Sequence, residues 1–192
     1  MTAEVTENWT LPAGWLELDA PIEVDVGSHR GTFLVAMAER YPERRYLGVE
    51  RQANRVERCL KKIERLGLAQ AHAVQSEGLA VLRELGLRVR VIHVSFPDPW
   101  PKRRHHSRRM VNGEFLREVW RLLEPGGALR LMTDDEPYFR AMELATAGCD
   151  GFSPTGWDDG REYPPTEFQQ KFESRLPIYR LALRRCDSMS SA

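Results

Sequence analysis

The stretch Phe96-Pro97-Asp98-Pro99-Trp100-Pro101-Lys102 combines an acid, an indole and a cation in a frame set by three prolines. Proline fixes its own φ and pushes the preceding residue out of the right-handed α region. The segment is therefore expected to be stiff and extended, holding Asp98 and Trp100 at defined positions, as a site that orients a flat aromatic substrate requires. The run Lys102-Arg103-Arg104-His105-His106-Ser107-Arg108-Arg109 follows at once, with five permanent cations among eight residues. Lys plus Arg and Asp plus Glu number 28 each over the whole chain, so the remainder carries a net charge of minus five. Such a separation builds a local patch able to neutralise several phosphates, which makes Arg103, Arg104, His105, Arg108 and Arg109 candidates for an RNA-binding surface. The bland alternative is a solvated charged face.

A second group of residues suits a nucleotide. Ile22-Glu23-Val24-Asp25-Val26 alternates like a strand, and Gly27-Ser28-His29-Arg30-Gly31 then breaks the pattern. A glycine loop between strand and helix lets backbone approach a ligand, and an acid some distance on, here Glu50, can take ribose hydroxyls. The spacing is not Gly-x-Gly-x-x-Gly, and His29 stands where a central glycine is expected, so this fingerprint leaves dinucleotides and S-adenosylmethionine both open. Asp25 tilts the balance. An unpaired carboxylate at a buried strand end is costly, and a sulfonium and ammonium would offset that cost where two phosphates would add to it.

The elements that position these groups alternate. Phe33, Met37 and Tyr41 recur at helical spacing, residues 46–50 read as a second strand, and Val56, Cys59, Leu60, Ile63 and Leu66 share a helical face that Gly67 stops. Residues 71–75 form a short third strand before a helix over Leu79, Leu82 and Leu85, and residues 89–96 form a fourth strand that Pro97 ends. Asn112 caps a helix burying Phe115, Leu116, Val119, Trp120 and Leu123, which Pro125-Gly126-Gly127 terminates before a strand over 128–133. A helix follows Asp135, residues 148–165 have loop composition, and 179–185 suits a last strand. This pattern predicts an α/β fold, Rossmann-like, with a mostly parallel, doubly wound sheet covered by helices on both faces and ligands at the carboxyl ends of its strands.

The chain of 192 residues, 42% apolar, suits one domain. Its expected span is 21–186, after a short N-terminal extension over 1–20 and before a polar tail over 187–192. Cys59, Cys149 and Cys186 are odd in number and widely spaced, which fits neither a disulfide framework nor a zinc site, so no metal and a reducing cytoplasm are expected. Residues 1–10 lack the basic start of an export signal, and no run of about 18 apolar residues suggests a membrane span. The sequence leaves monomer or homodimer open.

Phe96 to Lys102 with Arg103, His105, Arg108 and Arg109, followed by Thr133-Asp134-Asp135-Glu136-Pro137-Tyr138, resembles the bacterial tRNA (guanine-N7)-methyltransferase family. The likeness runs from about Pro21 to Arg185 and implies a class I methyltransferase fold that uses S-adenosylmethionine to methylate a variable-loop guanosine of tRNA. By this resemblance Asp25, Glu50 and Glu77 contact the cofactor, which Gly27, from its place in the glycine loop, is expected to let the backbone approach. Asp98, the expected catalytic residue, lies between cofactor and guanine, and Lys102 and Asp134 engage the substrate. Thr166-Glu167-Phe168-Gln169 is similar to the family's Thr-x-Phe-Glu substrate motif. His29 replaces a usual glycine, Gln169 a glutamate and Lys171 an arginine. Gln169 can still hydrogen-bond a base but brings donors in place of a charge. The rival reading is a non-catalytic RNA-binding protein on a degenerate methyltransferase scaffold, against which Asp25, Glu50, Asp98 and Asp134 argue.

Overall fold

Seven strands form one sheet in the computed structural model, which describes residues 10–172 and 175–189. In chain order they are β1 (Ile22–Val26), β2 (Arg45–Glu50), β3 (Ala71–Gln75), β4 (Val89–Ser95), β5 (Leu123–Thr133), β6 (Phe152–Thr155) and β7 (Tyr179–Arg185), arranged β3-β2-β1-β4-β5-β7-β6. β1 to β5 pair in parallel, while β7 runs antiparallel to β5 and β6. The order reverses between β1 and β4, the place where an open parallel sheet gathers its ligands.

Helices α1 (Thr32–Arg40), α2 (Ala53–Leu66), α3 (Ala80–Glu84), α4 (Gly113–Leu122), α5 (Glu136–Ala147) and α6 (Glu167–Phe172) connect or follow these strands. Their ends obey local chemistry. Asn112 Oδ1 accepts from the Phe115 N–H at 3.0 Å at the start of α4, and Asp135 Oδ1 accepts from the Tyr138 N–H at 2.7 Å at the start of α5. Gly67 ends α2 in the left-handed region, at φ 65°. Gly31 is required where α1 meets α2, because a Cβ there would lie 2.1 Å from Cys59 Sγ.

One face of the sheet buries Val24, Leu47, Ile92 and Leu129 against Leu116, Val119 and Met142 of α4 and α5. The other packs Tyr46, Ala71 and Ala73 under Phe33, Leu34, Met37, Cys59 and Ile63 of α1 and α2. Over β1, β4 and β5 that second face is polar, with Glu23, His93 and Arg130 all buried. Residues 156–165 cover it. Arg161 pairs with Glu23, Arg130 donates to the Trp157 carbonyl and to Asp159 Oδ2, and its guanidinium lies 4.2 Å from the Trp157 ring centroid and 3.9 Å from that of Tyr163.

Two strands differ from the sequence expectation. β6 lies within the stretch read as loop; it is an edge strand paired only with β7, a position that tolerates Pro154. β5 begins at Leu123, with the Pro125-Gly126-Gly127 stretch absorbed as an irregularity in its pairing with β4. No helix among the described residues is long and apolar enough to cross a membrane.

Candidate functional site

A cleft of about 750 Å³ opens at the carboxyl ends of β1, β2, β3 and β4 and is closed on one side by α6. Asp25, Gly27, Glu50, Glu77 and Asp98 all line it, as do Thr166, Glu167 and Phe168. The glycine loop after β1 and the C-terminal segment, some 140 residues apart in sequence, therefore share one cavity.

The β1 end supplies the loop. Gly27 stands at φ 80°, its N–H donates to the Val49 carbonyl at 2.8 Å, and a Cβ there would meet nothing within 4 Å, so backbone faces open cleft. Ser28 Oγ is buried with no hydrogen-bond partner. Asp25 is buried, and among the described residues no cation pairs with it. Burial first, and the Glu50 charge second, push its carboxyl up to about 7. Glu50 is itself buried, yet its oxygens accept from the Gln52 N–H at 2.9 Å, the His29 N–H at 3.1 Å and Arg55 Nη1 at 3.4 Å. A carboxylate has about four lone-pair directions, so Glu50 retains room for a ligand hydroxyl. An orphaned hydroxyl, an uncompensated buried acid and an exposed glycine backbone are what a cation-bearing nucleoside would complete.

The Phe96–Trp100 side is strained. His29, Phe96 and Trp100 are the non-glycine residues with positive φ among those described, and all three line this cleft. Such conformations persist where the surroundings over-determine them, and they concentrate at functional sites. Phe96 and Trp100 each precede a proline, and each avoids the right-handed α region by crossing to positive φ (53° and 45°), so the segment is kinked at its ends where a fully extended run was expected. Trp100 is half-buried at the cleft rim and outside the core, with Arg108 5.0 Å over its ring and His105 edge-on at 5.8 Å.

The basic run folds as a short 3-10 helix over Arg103–Arg108, on which Arg103, Arg104 and Arg108 are exposed. Arg109 departs from the predicted patch. It is buried, its Nε donates to the Pro99 carbonyl at 2.8 Å, and its guanidinium lies 4.8 Å from the Tyr138 ring. It pins the proline segment instead of facing solvent. Lys102 is exposed ahead of this helix, and Asp134 is half-buried after β5; neither lines the cleft.

Gln169 is likewise absent from the cleft lining. Its Oε1 accepts from the Thr166 N–H at 2.9 Å while its own N–H donates to Thr166 Oγ1 at 3.2 Å, a reciprocal cap that starts α6. Thr-x-x-Gln carried that signal in the sequence, alongside the substrate-motif reading. Phe168 packs on Phe96 at 4.5 Å between ring centroids. Sequence reasoning also missed the bridge from His29 Nδ1 to Glu167 Oε2 at 2.8 Å, reinforced by Arg30 Nη1 at 3.4 Å from Glu167 Oε1. Among the described residues no cluster of three or more His, Cys, Asp or Glu could hold a metal.

Residues 19–180 match the Methyltransf_4 methyltransferase family. A tRNA (guanine-N(7)-)-methyltransferase of Levilactobacillus brevis is 33% identical over 170 residues, covering 84% of this chain and 78% of the relative. One from Paracoccus denitrificans is 34% identical over 168 residues, covering 84% and 71%. Among solved structures, an rRNA methylase from Streptococcus thermophilus superposes with a TM-score of 0.60 at 16% identity, over 90% of this chain and 92% of that one. The aminoglycoside resistance methyltransferase NpmB1 does so at 0.63 and 20%, over 92% and 95%. At these identities the structural likeness shows the fold alone, a Rossmann-like methyltransferase fold.

Proposed function

The chain belongs to the tRNA (guanine-N7)-methyltransferase family, and from that premise we propose that it methylates N7 of a guanosine in tRNA, the variable-loop guanosine being the one the resemblance implies. The observation that carries the reading is the joining of the acidic nucleotide loop, the strained Phe96–Trp100 stretch and α6 around one cleft. S-adenosylmethionine, when bound, supplies an electrophilic methyl on a sulfonium.

The residues of this chain bind and orient. Asp25 supplies a countercharge for a cationic methionine moiety, Gly27 lets backbone come close, and Glu50 and Glu77 face the nucleoside side of the cleft. Guanine N7 has a free lone pair and no proton to lose, so the site needs no general base and positioning dominates. The base acquires positive charge as its N7–carbon bond forms, and the Watson–Crick edge offers donors at N1 and N2. Asp98, in the cleft between the two halves, answers both needs as a charge-stabilising acceptor. Lys102, ahead of the short 3-10 helix, and Asp134, just past β5, both outside the cleft lining, are proposed to meet the rest of the nucleotide. Extracting the base from its stack costs a few kcal/mol, and Trp100 at the rim gives it a face to stack on. A cytoplasmic place, where tRNA and the methyl donor occur together, fits this role.

Incubating unmodified tRNA with the protein and labelled S-adenosylmethionine, then mapping 7-methylguanosine by chain cleavage, tests the reading. Label confined to one guanosine is expected; cofactor binding without transfer would favour the RNA-binding alternative.

Two further results are expected. A carboxyl raised to about 7 in the folded protein makes the folded state bind more protons than the unfolded chain between pH 3.8 and 7, so Asp25 destabilises the empty protein as pH rises. A cationic ligand that holds Asp25 ionised reverses that cost. Calorimetric titration with S-adenosylhomocysteine, which keeps the ammonium, should show affinity rising about tenfold from pH 6 to pH 8, with Asp25→Asn weaker at pH 8 and flat across the range. A flat wild-type profile would remove the cation from Asp25. Reversing charge at Arg103 and Arg104 should weaken tRNA binding and lower the slope of log affinity against log salt by about 2, roughly one for each phosphate that is no longer neutralised; an unchanged slope would show that this helix faces away from tRNA.

A further inference from the structure

His29 occupies a backbone conformation that L side chains disfavour, at φ 53°, and the loop holds it there with bonds in two directions. Its N–H donates to Glu50 Oε2 at 3.1 Å, on the nucleoside side of the cleft. Its ring meets Glu167 Oε2 at 2.8 Å, at the start of α6, where Arg30 lies 3.4 Å from the other carboxylate oxygen. One residue thus touches the acid facing the nucleoside and the segment facing the base. Other supports of α6 among the described residues are of a different kind, such as Phe168 packed on Phe96 and the tie of Arg161 to Glu23 that holds the chain leading into the helix to the sheet. Neither of these reaches the nucleotide loop.

We infer that His29 is a positioning residue that straps α6 to the nucleotide loop, so that the cofactor site and the base site form as one unit and occupancy of either strengthens binding at the other. The inference rests on the methyltransferase reading above. Coupling of this kind is reciprocal: whatever S-adenosylhomocysteine adds to tRNA affinity, tRNA adds to that of S-adenosylhomocysteine. Both partners of the strap are about one-third exposed, so the bridge is of moderate strength and can open to admit ligand.

The test uses the full chain with His29→Asn, Glu167→Gln and the double variant. Asparagine accepts positive φ, so the loop keeps its path while the imidazole bridge to Glu167 is removed. In the unliganded protein, hydrogen exchange of the α6 amides should quicken about two- to fivefold in each single variant, and the double variant should be no faster than the quicker single. Saturating S-adenosylhomocysteine should tighten tRNA binding to the wild type and have no such effect in any of the three variants, a result that mere loosening of the fold would not produce. Unchanged exchange, additive effects, or coupling that survives in the variants would overturn the strap. Failure of the wild type to bind S-adenosylhomocysteine would instead sink the methyltransferase reading, while the exchange comparison would still decide whether the strap exists.

Discussion

Asp98→Ala is expected to lower methyl transfer about 10²- to 10³-fold, the loss typical of removing one preorganised charge-stabilising group, while tRNA affinity stays nearly unchanged. The asymmetry follows from where Asp98 sits. Its backbone is held by Pro97 and Pro99, by Arg109 donating to the Pro99 carbonyl, and by Phe96 against Phe168, so deleting the carboxylate leaves the frame intact. Affinity for tRNA is carried by phosphate contacts, to which an acid contributes nothing favourable. Single-turnover incorporation of labelled methyl, with tRNA binding measured in parallel, separates the two. Asp98→Asn refines the result. If the carboxylate works by opposing the positive charge that develops on the base, the asparagine variant is as slow as the alanine one; if it works only by accepting hydrogen bonds, part of the rate returns. Unreduced turnover in both variants would remove Asp98 from the mechanism.

What the sequence showed of this site is governed by locality. A parallel sheet presents ligands at the carboxyl ends of its strands, so Asp25, Glu50, Glu77 and Asp98 could be picked out once the alternation of strands and helices was read, and all four line the cleft. The caps at Asn112 and Asp135 and the stop at Gly67 were legible for the same reason, since each depends on residues within one helical turn. Arg109 shows the limit. Nothing in a run of basic residues tells which one turns inward, because that depends on the Pro99 carbonyl and the Tyr138 ring arriving beside it. Gln169 shows a different limit, in which one sequence pattern fits two roles. Thr166 and Gln169 match a substrate motif and a helix cap alike, and the cap uses the same amide oxygen that a base would need.

The largest gap between sequence and structure concerns Glu23, whose place in an alternating strand gave no sign of the partners it meets. Its side chain is fully buried and receives Arg44 at 2.9 Å, His93 at 2.9 Å and Arg161. Burial alone would raise its carboxyl; the hydrogen bond and charge of His93, joined by Arg161, outweigh burial and hold it at about 2. His93 is itself pushed down, by its burial first and by the charges of Arg130 and Arg161, against the opposing pull of Glu23. A depressed acid contributes stability that is complete above its ordinary value of 4.5 and is lost as pH falls toward 2.

Glu23→Gln should therefore destabilise the protein at pH 7.5 by about 3–5 kcal/mol, since it removes the buried anion that Arg44, His93 and Arg161 share and leaves Arg161 with the partly exposed Asp159 as its remaining countercharge among the described residues. For a chain of this size that is a fall in Tm on the order of 10 °C. The gap between wild type and variant should narrow as pH drops from about 4.5 toward 2, where the unfolded chain's Glu23 takes up a proton that the folded protein still excludes; thermal melts followed by circular dichroism across that range measure it. A gap that stayed constant with pH would mean that shape, and not charge, makes Glu23 matter. The consequence extends to the site because Arg161 lies in the segment that covers the polar face and runs directly into Thr166. Releasing Arg161 frees that end of α6, so methyl transfer by the variant should decline at temperatures below its own melting, with the loss appearing in tRNA KM before kcat.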